Sequence, residues 1–301
     1  MVRQDFELFT FAECEDLARR VADQLNCPLR PIEVHTFPDG ESLVRAQSKA
    51  PGQALLFRSL DDPNEKLIEL LFTADALRRQ GVGEIGLVAP YLGYMRQDRV
   101  FEAGQSLSQR VVANLLGGAF DDVLTVEAHL HRIQDLDEIF RCPARSVSAA
   151  AAISDWLRAD PRPSFLVGPD SESEPWIRAI ADNAQMNWSI ASKQRHGDLD
   201  VRIDLPPLPP DTRTVWIIDD IGSSGHTLEA VARILGQRGV EEIGAVVVHA
   251  LFSPGTPERL RDAGISRLVS SDSVAHSSNE IGLAVTLASE IERRWSSREV
   301  A

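Results

Sequence analysis

Val215-Trp216-Ile217-Ile218-Asp219-Asp220-Ile221-Gly222-Ser223-Ser224-Gly225-His226-Thr227-Leu228 decides how the chain is read. Four apolar residues run into two carboxylates, a loop of small and hydroxylated residues follows, and a helical pattern then begins. That order describes a buried strand, a tight turn and a helix N-terminus. A helix N-terminus leaves backbone N–H groups without partners, and small residues let an anion reach them. The paired acids do not suit phosphate. They suit the hydroxyls of a sugar, or a metal that the sugar also binds. Phosphate at one end and a diol at the other describes a phosphorylated pentose. Read alone, the stretch also fits an ordinary buried strand before a capped helix, so the rest of the chain has to decide.

The chain has 301 residues, a length that suggests two domains of about 150 residues each. A net charge of −14 argues against nonspecific nucleic-acid binding, which needs a basic face. A polyphosphate site must therefore be a local island of arginine and lysine. Cys14, Cys27 and Cys142 are widely spaced and form no CxxC pair, and Met1-Val2-Arg3-Gln4-Asp5 carries no apolar export segment. The expectation is reduced thiols in a cytoplasm. No apolar run approaches about 20 residues, so no membrane span is expected. The lysines are Lys49, Lys66 and Lys193 alone, so a lysine in a loop is a better functional candidate here than in most chains.

Apolar strands alternate with amphipathic helices. Strands are expected at residues 32–35, 54–57, 85–89, 123–126, 165–168, 188–191, 215–218 and 245–250. Helices are expected at 11–25, 65–80, 108–116, 149–157, 176–183, 227–238 and 281–295. This pattern implies parallel sheets covered on both faces. Residues 76–88 parallel residues 234–246, sharing Gly-Val-x-Glu-Ile-Gly after the end of a helix, and the offset of about half the chain fits two similar domains. The Pro-rich stretch 205–210 reads as a stiff surface connector.

Residues 219–227 resemble the ribose-5-phosphate loop of the phosphoribosyl-diphosphate (PRPP) family, which includes phosphoribosyltransferases and the enzymes that make PRPP. Three further motifs sharpen the resemblance: Phe37-Pro38-Asp39-Gly40-Glu41, Tyr91-Leu92-Gly93-Tyr94-Met95-Arg96-Gln97-Asp98-Arg99, and Val123-Leu124-Thr125-Val126-Glu127-Ala128-His129. With these in family order, nearly the whole chain resembles the ribose-phosphate diphosphokinase (PRPP synthetase) family. The resemblance implies an α/β fold of two tandem phosphoribosyltransferase-like domains, with parallel sheets flanked by helices. The domains would span residues 1–147 and 148–301, with the last helix packing on the first domain.

The resemblance implies the following roles. ATP would be bound by Phe37, Asp39 and Glu41, in a loop that reaches a neighbouring subunit's site, and by Arg96, Gln97, Arg99 and His129. Fork-shaped guanidinium groups suit phosphate oxygens. His129 and Asp170 would help hold Mg2+. Lys193 and Arg195 would neutralise the transferred diphosphoryl group from a lid loop, and are the catalytic candidates. Ribose 5-phosphate would be bound by Asp219, Asp220, Ser223, Ser224, Gly225, His226 and Thr227, with His226 either donating to the phosphate or capping the helix. The partners implied are ATP, ribose 5-phosphate and further copies of the chain in a homo-oligomer with a shared active site.

The chain departs from the family pattern in three places. Glu127 stands where Asp is commoner. The sugar loop reads Ser-Ser-Gly-His-Thr where Thr-Gly-Gly-Thr is usual. Asp170-Ser171-Glu172-Ser173-Glu174 replaces paired glycines that make a backbone nest for diphosphate. Arg178 is the candidate to offset the added glutamates, and Glu172 and Glu174 are expected to face outward. The alternative functions are a non-catalytic regulatory homologue and a phosphoribosyltransferase, although the latter leaves the first-half motifs idle.

Overall fold

Short apolar runs, buried on both faces, set the strands of two parallel sheets. The structure is a computed structural model that describes residues 6–49, 52–130, 132–160, 162, 164–195 and 201–295. Contacts divide the chain into two units, Met1–Ser148 with Leu283–Ala301, and Ala149–Gly282.

The first unit runs β1 (Phe6–Thr10), α1 (Glu15–Leu25), β2 (Leu29–Pro31), β3 (Glu33–Thr36), β4 (Ser42–Arg45), β5 (Gln53–Phe57), α2 (Pro63–Arg79), β6 (Glu84–Ala89), α3 (Ser108–Ala119), β7 (Asp122–Val126) and β8 (Ala144–Val147). Six strands form an all-parallel sheet in the order β2-β1-β5-β6-β7-β8. The chain steps from β5 to β6 to β7 in one direction along the sheet and from β1 to β2 in the other, so crossovers of the usual right hand put α2 and α3 on one face and α1 on the other.

The second unit runs α4 (Ala150–Arg158), β9 (Ser164–Gly168), α5 (Glu174–Ala184), β10 (Asn187–Ile190), β11 (Ser192–Arg195), β12 (Val201–Asp204), β13 (Thr214–Gly222), α6 (His226–Gln237), β14 (Glu242–Ala250), α7 (Thr256–Asp262), β15 (Ile265–Ser271) and β16 (Asn279–Ile281). Its parallel sheet has the order β10-β9-β13-β14-β15-β16. Position for position this repeats the first sheet, and the repeated Gly-Val-x-Glu-Ile-Gly leads into β6 in one and β14 in the other. Each unit also inserts an antiparallel hairpin after its second strand, β3–β4 and β11–β12.

The last helix, α8 (Ala284–Trp295), belongs to the first unit and packs on α1, as α4 packs on α5 in the second. Trp295 is buried against β6: a Cβ on Gly86 would lie 2.8 Å from its ring, so only glycine fits there. Beside it, Arg294 donates from Nε at 3.1 Å and Nη2 at 2.5 Å to Asp122, which is fully buried at the start of β7.

Several element boundaries differ from the sequence expectations. The strand expected to end at Ile218 continues to Gly222, because β14 pairs with it as far as Ala250, so Asp219 and Asp220 lie within the strand. The helix after it starts at His226. The strand expected at 32–35 is β3 of the hairpin and is not in the main sheet. Residues 12–14 form a 3-10 turn before α1, and residues 279–281 pair as β16 before α8 begins.

Removing Arg294 takes its guanidinium from the buried Asp122 carboxylate, and breaking a buried ion pair costs ~3–5 kcal/mol. Arg294→Met is expected to destabilise the first unit by about that amount, read as faster hydrogen exchange of the β7 amides. Unchanged exchange would mean that α8 is dispensable for that sheet.

Candidate functional site

Parallel strands leave their sheet at one edge, and both units use that edge to gather the residues singled out above. In the second unit, β10, β9 and β13 are neighbours. From their C-terminal ends come the Lys193–Arg195 segment, Asp170 and the Asp219–Thr227 segment, respectively.

Asp219 and Asp220 sit half-buried at the end of β13. Burial pushes the Asp219 carboxyl well above the usual carboxylate range, and the charges of Asp220 and Asp170 push it the same way. The Asp220 N–H, which donates to Asp219 Oδ1 at 3.0 Å, opposes that shift. The three carboxylates therefore share one neighbourhood. A cation, or a set of hydroxyl donors, would relieve their repulsion.

The loop after them is held from behind. The carbonyl of Gly222 accepts from the N–H of Leu251 at 2.8 Å, and that of Ser223 from the N–H of Ser253 at 3.3 Å. The carbonyl of Ser224 accepts from the Arg259 guanidinium. Among the described residues, no protein acceptor takes the N–H groups of Ser223, Ser224, Gly225, His226 or Thr227. These donors stand at the N-terminus of α6, where the helix dipole also favours an anion. Gly225 has φ +71°, and a Cβ there would lie 2.7 Å from Thr256 Cγ2. His226 is the first residue of α6.

Lys193 and Arg195, expected in a lid loop, lie instead on β11, paired antiparallel with β12. Their side chains, and residues 196–200, fall outside what the structure describes. The Glu-rich segment after β9 is a 3-10 turn capped by Asp170, whose Oδ1 accepts from the N–H groups of Glu172 at 3.0 Å and Ser173 at 3.2 Å. Those two N–H groups are thus already engaged. Glu172 is exposed, and Glu174 pairs with Arg178 at 2.7 Å. Arg178 therefore answers a glutamate of its own helix and is not a free phosphate partner.

In the first unit, residues 91–99 follow β6 and residues 127–129 follow β7, its neighbour. Arg96 is exposed, and Arg99 stacks its guanidinium 4.4 Å from the Phe101 ring. Gln97 Oε1 accepts from Ser108 Oγ at 2.5 Å. His129 is half-buried, two residues after Glu127, which has φ +37° and accepts from Ser148 Oγ at 2.6 Å. His131 lies outside the described residues.

Phe37, Asp39 and Glu41 form the tip of the β3–β4 hairpin. The Phe37 N–H donates to the Glu41 carbonyl at 2.7 Å, Gly40 supplies φ +91°, and Asp39 Oδ1 accepts from the Glu41 N–H at 3.2 Å. Phe37 is 39% exposed, with the His35 ring packed edge-on at 4.8 Å between centroids. Among the described residues, no group of three or more His, Cys, Asp or Glu is arranged to hold a metal, and His129 and Asp170 lie in different units.

Sequence reasoning missed the supports of these residues: Ser108 behind Gln97, Ser148 behind Glu127, and the 251–259 segment behind the 223–227 loop. No local pattern marks them, and Arg259 looks like any other arginine in an arginine-rich chain.

Gly225→Ala is expected to displace the loop, since a non-glycine residue there costs on the order of 1–3 kcal/mol in backbone strain and also meets Thr256. Calorimetric titration should show ribose 5-phosphate binding weakened about tenfold or more, with ATP binding retained. Unchanged sugar-phosphate affinity would remove the loop from that site.

Two domain models match the chain. The N-terminal domain of ribose phosphate pyrophosphokinase matches residues 6–119, and the phosphoribosyl transferase domain matches residues 135–286. The ribose-phosphate pyrophosphokinase of Methanopyrus kandleri is 32% identical over 279 residues, covering 92% of this chain and 95% of that protein. That of Methanobrevibacter smithii is 31% identical, covering 91% and 96%. The crystal structure of phosphoribosylpyrophosphate synthetase from Mycobacterium smegmatis superposes with a TM-score of 0.83 at 21% identity, over 97% of this chain and 99% of that one. Matched by both domain models and by relatives along nearly its whole length, the chain belongs to the ribose-phosphate pyrophosphokinase family of enzymes.

Proposed function

We propose that the chain transfers the diphosphoryl group of ATP to the anomeric hydroxyl of ribose 5-phosphate, giving PRPP and AMP. The observation that carries this reading is the loop of open N–H groups directly after two carboxylates. It offers donors for a phosphate and acceptors for sugar hydroxyls in one stretch. The anomeric oxygen bonds to the β-phosphorus. The bond from that phosphorus to the oxygen shared with the α-phosphate breaks, and AMP leaves with the electron pair while the hydroxyl proton is released.

Such a transfer depends on positioning and charge neutralisation. Ser223, Ser224, Gly225, His226 and Thr227 hold the 5-phosphate, and Asp219 and Asp220 accept from the ribose hydroxyls. Lys193 and Arg195 neutralise the diphosphoryl group. Arg96, Gln97, Arg99 and His129 bind the nucleotide, while Phe37 stacks on adenine and Asp39 and Glu41 accept from its amino group. Mg2+ would be held by one or two of the carboxylates of Asp170, Asp219 and Asp220 together with substrate oxygens, since it does not need a closed protein cage. When bound it supplies charge neutralisation of the polyphosphate. His129 would help hold the Mg2+-bound nucleotide.

The chain acts as a homo-oligomer in which the β3–β4 hairpin completes a neighbour's ATP site. Supporting this, Ile68 and Phe72 on α2 and Val111 and Leu115 on α3 are exposed apolar pairs at i, i+4 spacing, on helices of one sheet face. A cytoplasmic setting agrees with Cys14, Cys27 and Cys142 being free thiols, pushed by burial up to about 11, 12 and 11. No helix among the described residues is long and apolar enough to cross a membrane.

A second reading, a non-catalytic regulatory homologue, rests on the Asp170 turn, which occupies the N–H groups that a glycine nest would offer to diphosphate. Incubating the protein with ATP, Mg2+ and ribose 5-phosphate separates the two: AMP and PRPP in equal amounts support the enzyme, and binding without turnover supports the regulator. Lys193→Ala is expected to lower kcat ~10²–10³-fold while leaving the KM for ribose 5-phosphate near normal. Near-normal turnover would exclude Lys193 from the mechanism. Mixing inactive Lys193→Ala subunits with inactive Asp39→Ala subunits should restore activity, because one shared site then carries neither lesion. Full subunit exchange without recovery would assign the hairpin to its own chain's site.

A further inference from the structure

Building on the reading that the 223–227 loop takes the 5-phosphate, we infer that Arg259 is a positioning residue that presets the loop's N–H donors. Arg259 lies on α7, behind the loop. Its guanidinium donates to the carbonyl of Ser224 and, through Nε, to Glu229 Oε2 at 2.8 Å. Glu229 stands in the first turn of α6, and its N–H closes that turn on the Gly225 carbonyl at 2.9 Å. One planar fork therefore ties the loop peptide to the start of the helix.

The consequence follows from the planar trans peptide, in which C=O and N–H point in opposite directions. Fixing the Ser224 carbonyl toward α7 fixes the Gly225 N–H on the opposite side. The bonds from Leu251 and Ser253 do the same for the N–H groups of Ser223 and Ser224. Of these three ties, only the one to Ser224 comes from a side chain, so only it can be removed by substitution. Glu229 is shared between Arg259 at 2.8 Å and Arg233 at 3.0 Å, so a variant that keeps the charge of Arg259 but not its fork separates geometry from charge. Arg259 stands on the carbonyl side of the loop and is not a catalytic residue.

The test compares Arg259→Gln with Arg233→Gln in calorimetric titrations of the full chain with ribose 5-phosphate, after circular dichroism has shown both to be folded. Arg233 shares Glu229 but does not touch the loop. Arg259→Gln is expected to weaken binding about tenfold or more, with the KM for ATP unchanged, and Arg233→Gln to stay within about twofold. Arg259→Lys keeps the charge but not the fork. It is expected to show the same loss of ribose 5-phosphate affinity, and it replaces the glutamine variant should that one fail to fold. Equal losses in Arg233→Gln and Arg259→Gln would overturn the inference, assigning the effect to Glu229 and the helix. Unchanged affinity in Arg259→Gln, where the wild type binds, would overturn it alone. A wild type that binds no ribose 5-phosphate would overturn the sugar-loop reading and this inference together.

Discussion

A parallel sheet sends every strand out at the same edge, and the rest of this molecule depends on that constraint. Residues far apart in sequence meet because their strands are neighbours, as β10, β9 and β13 are in the second unit and β6 and β7 in the first. Helices on both faces pay for the arrangement by covering the sheet. The free strand ends then carry chemistry that the core would not tolerate, such as the adjacent carboxylates of Asp219 and Asp220.

The two units are built alike yet furnished differently. The segment that follows β13 in the second unit corresponds to the one that follows β5 in the first. After β13 the loop keeps its N–H groups open. After β5 the same place is closed by the chain's own ions. Arg58, 6% exposed, pairs with Glu13 at 2.7 Å and Glu69 at 2.6 Å, and Lys66 donates to Asp61 at 2.8 Å and to the Ser59 carbonyl at 3.0 Å. At corresponding positions of the two sheets, one segment keeps open N–H groups and the other is filled by internal ion pairs. The paired hairpins show the same divergence: one carries Phe37, Asp39 and Glu41, the other Lys193 and Arg195.

How much of this was legible in the sequence follows from where each signal lies. Strands such as β5 and β6 announce themselves because both faces are buried, leaving unbroken apolar runs. The end of β13 did not, since Asp219 and Asp220 carry no apolar signal and only pairing with β14 extends the strand. β11 was read as loop because Lys-Gln-Arg looks like solvated surface, and β15 and β16 hide behind serine and asparagine. The family motifs were legible because their residues are contiguous in sequence, in segments that follow strand ends, as Asp170 follows β9 and His129 follows β7. Their supports were illegible for the opposite reason: Arg259 reaches Ser224 across 35 residues, and nothing local to either announces the bond.

The account rests on the backbone of residues 223–227 being a preset anion cradle. The most direct measurement is amide NMR of ¹⁵N-labelled protein titrated with ribose 5-phosphate. The amide protons of Ser223, Ser224, Gly225, His226 and Thr227 should move downfield together as the sugar phosphate saturates, and should not move with ATP alone. Saturable binding that leaves those five resonances in place would contradict the account, because the phosphate would then be held somewhere else.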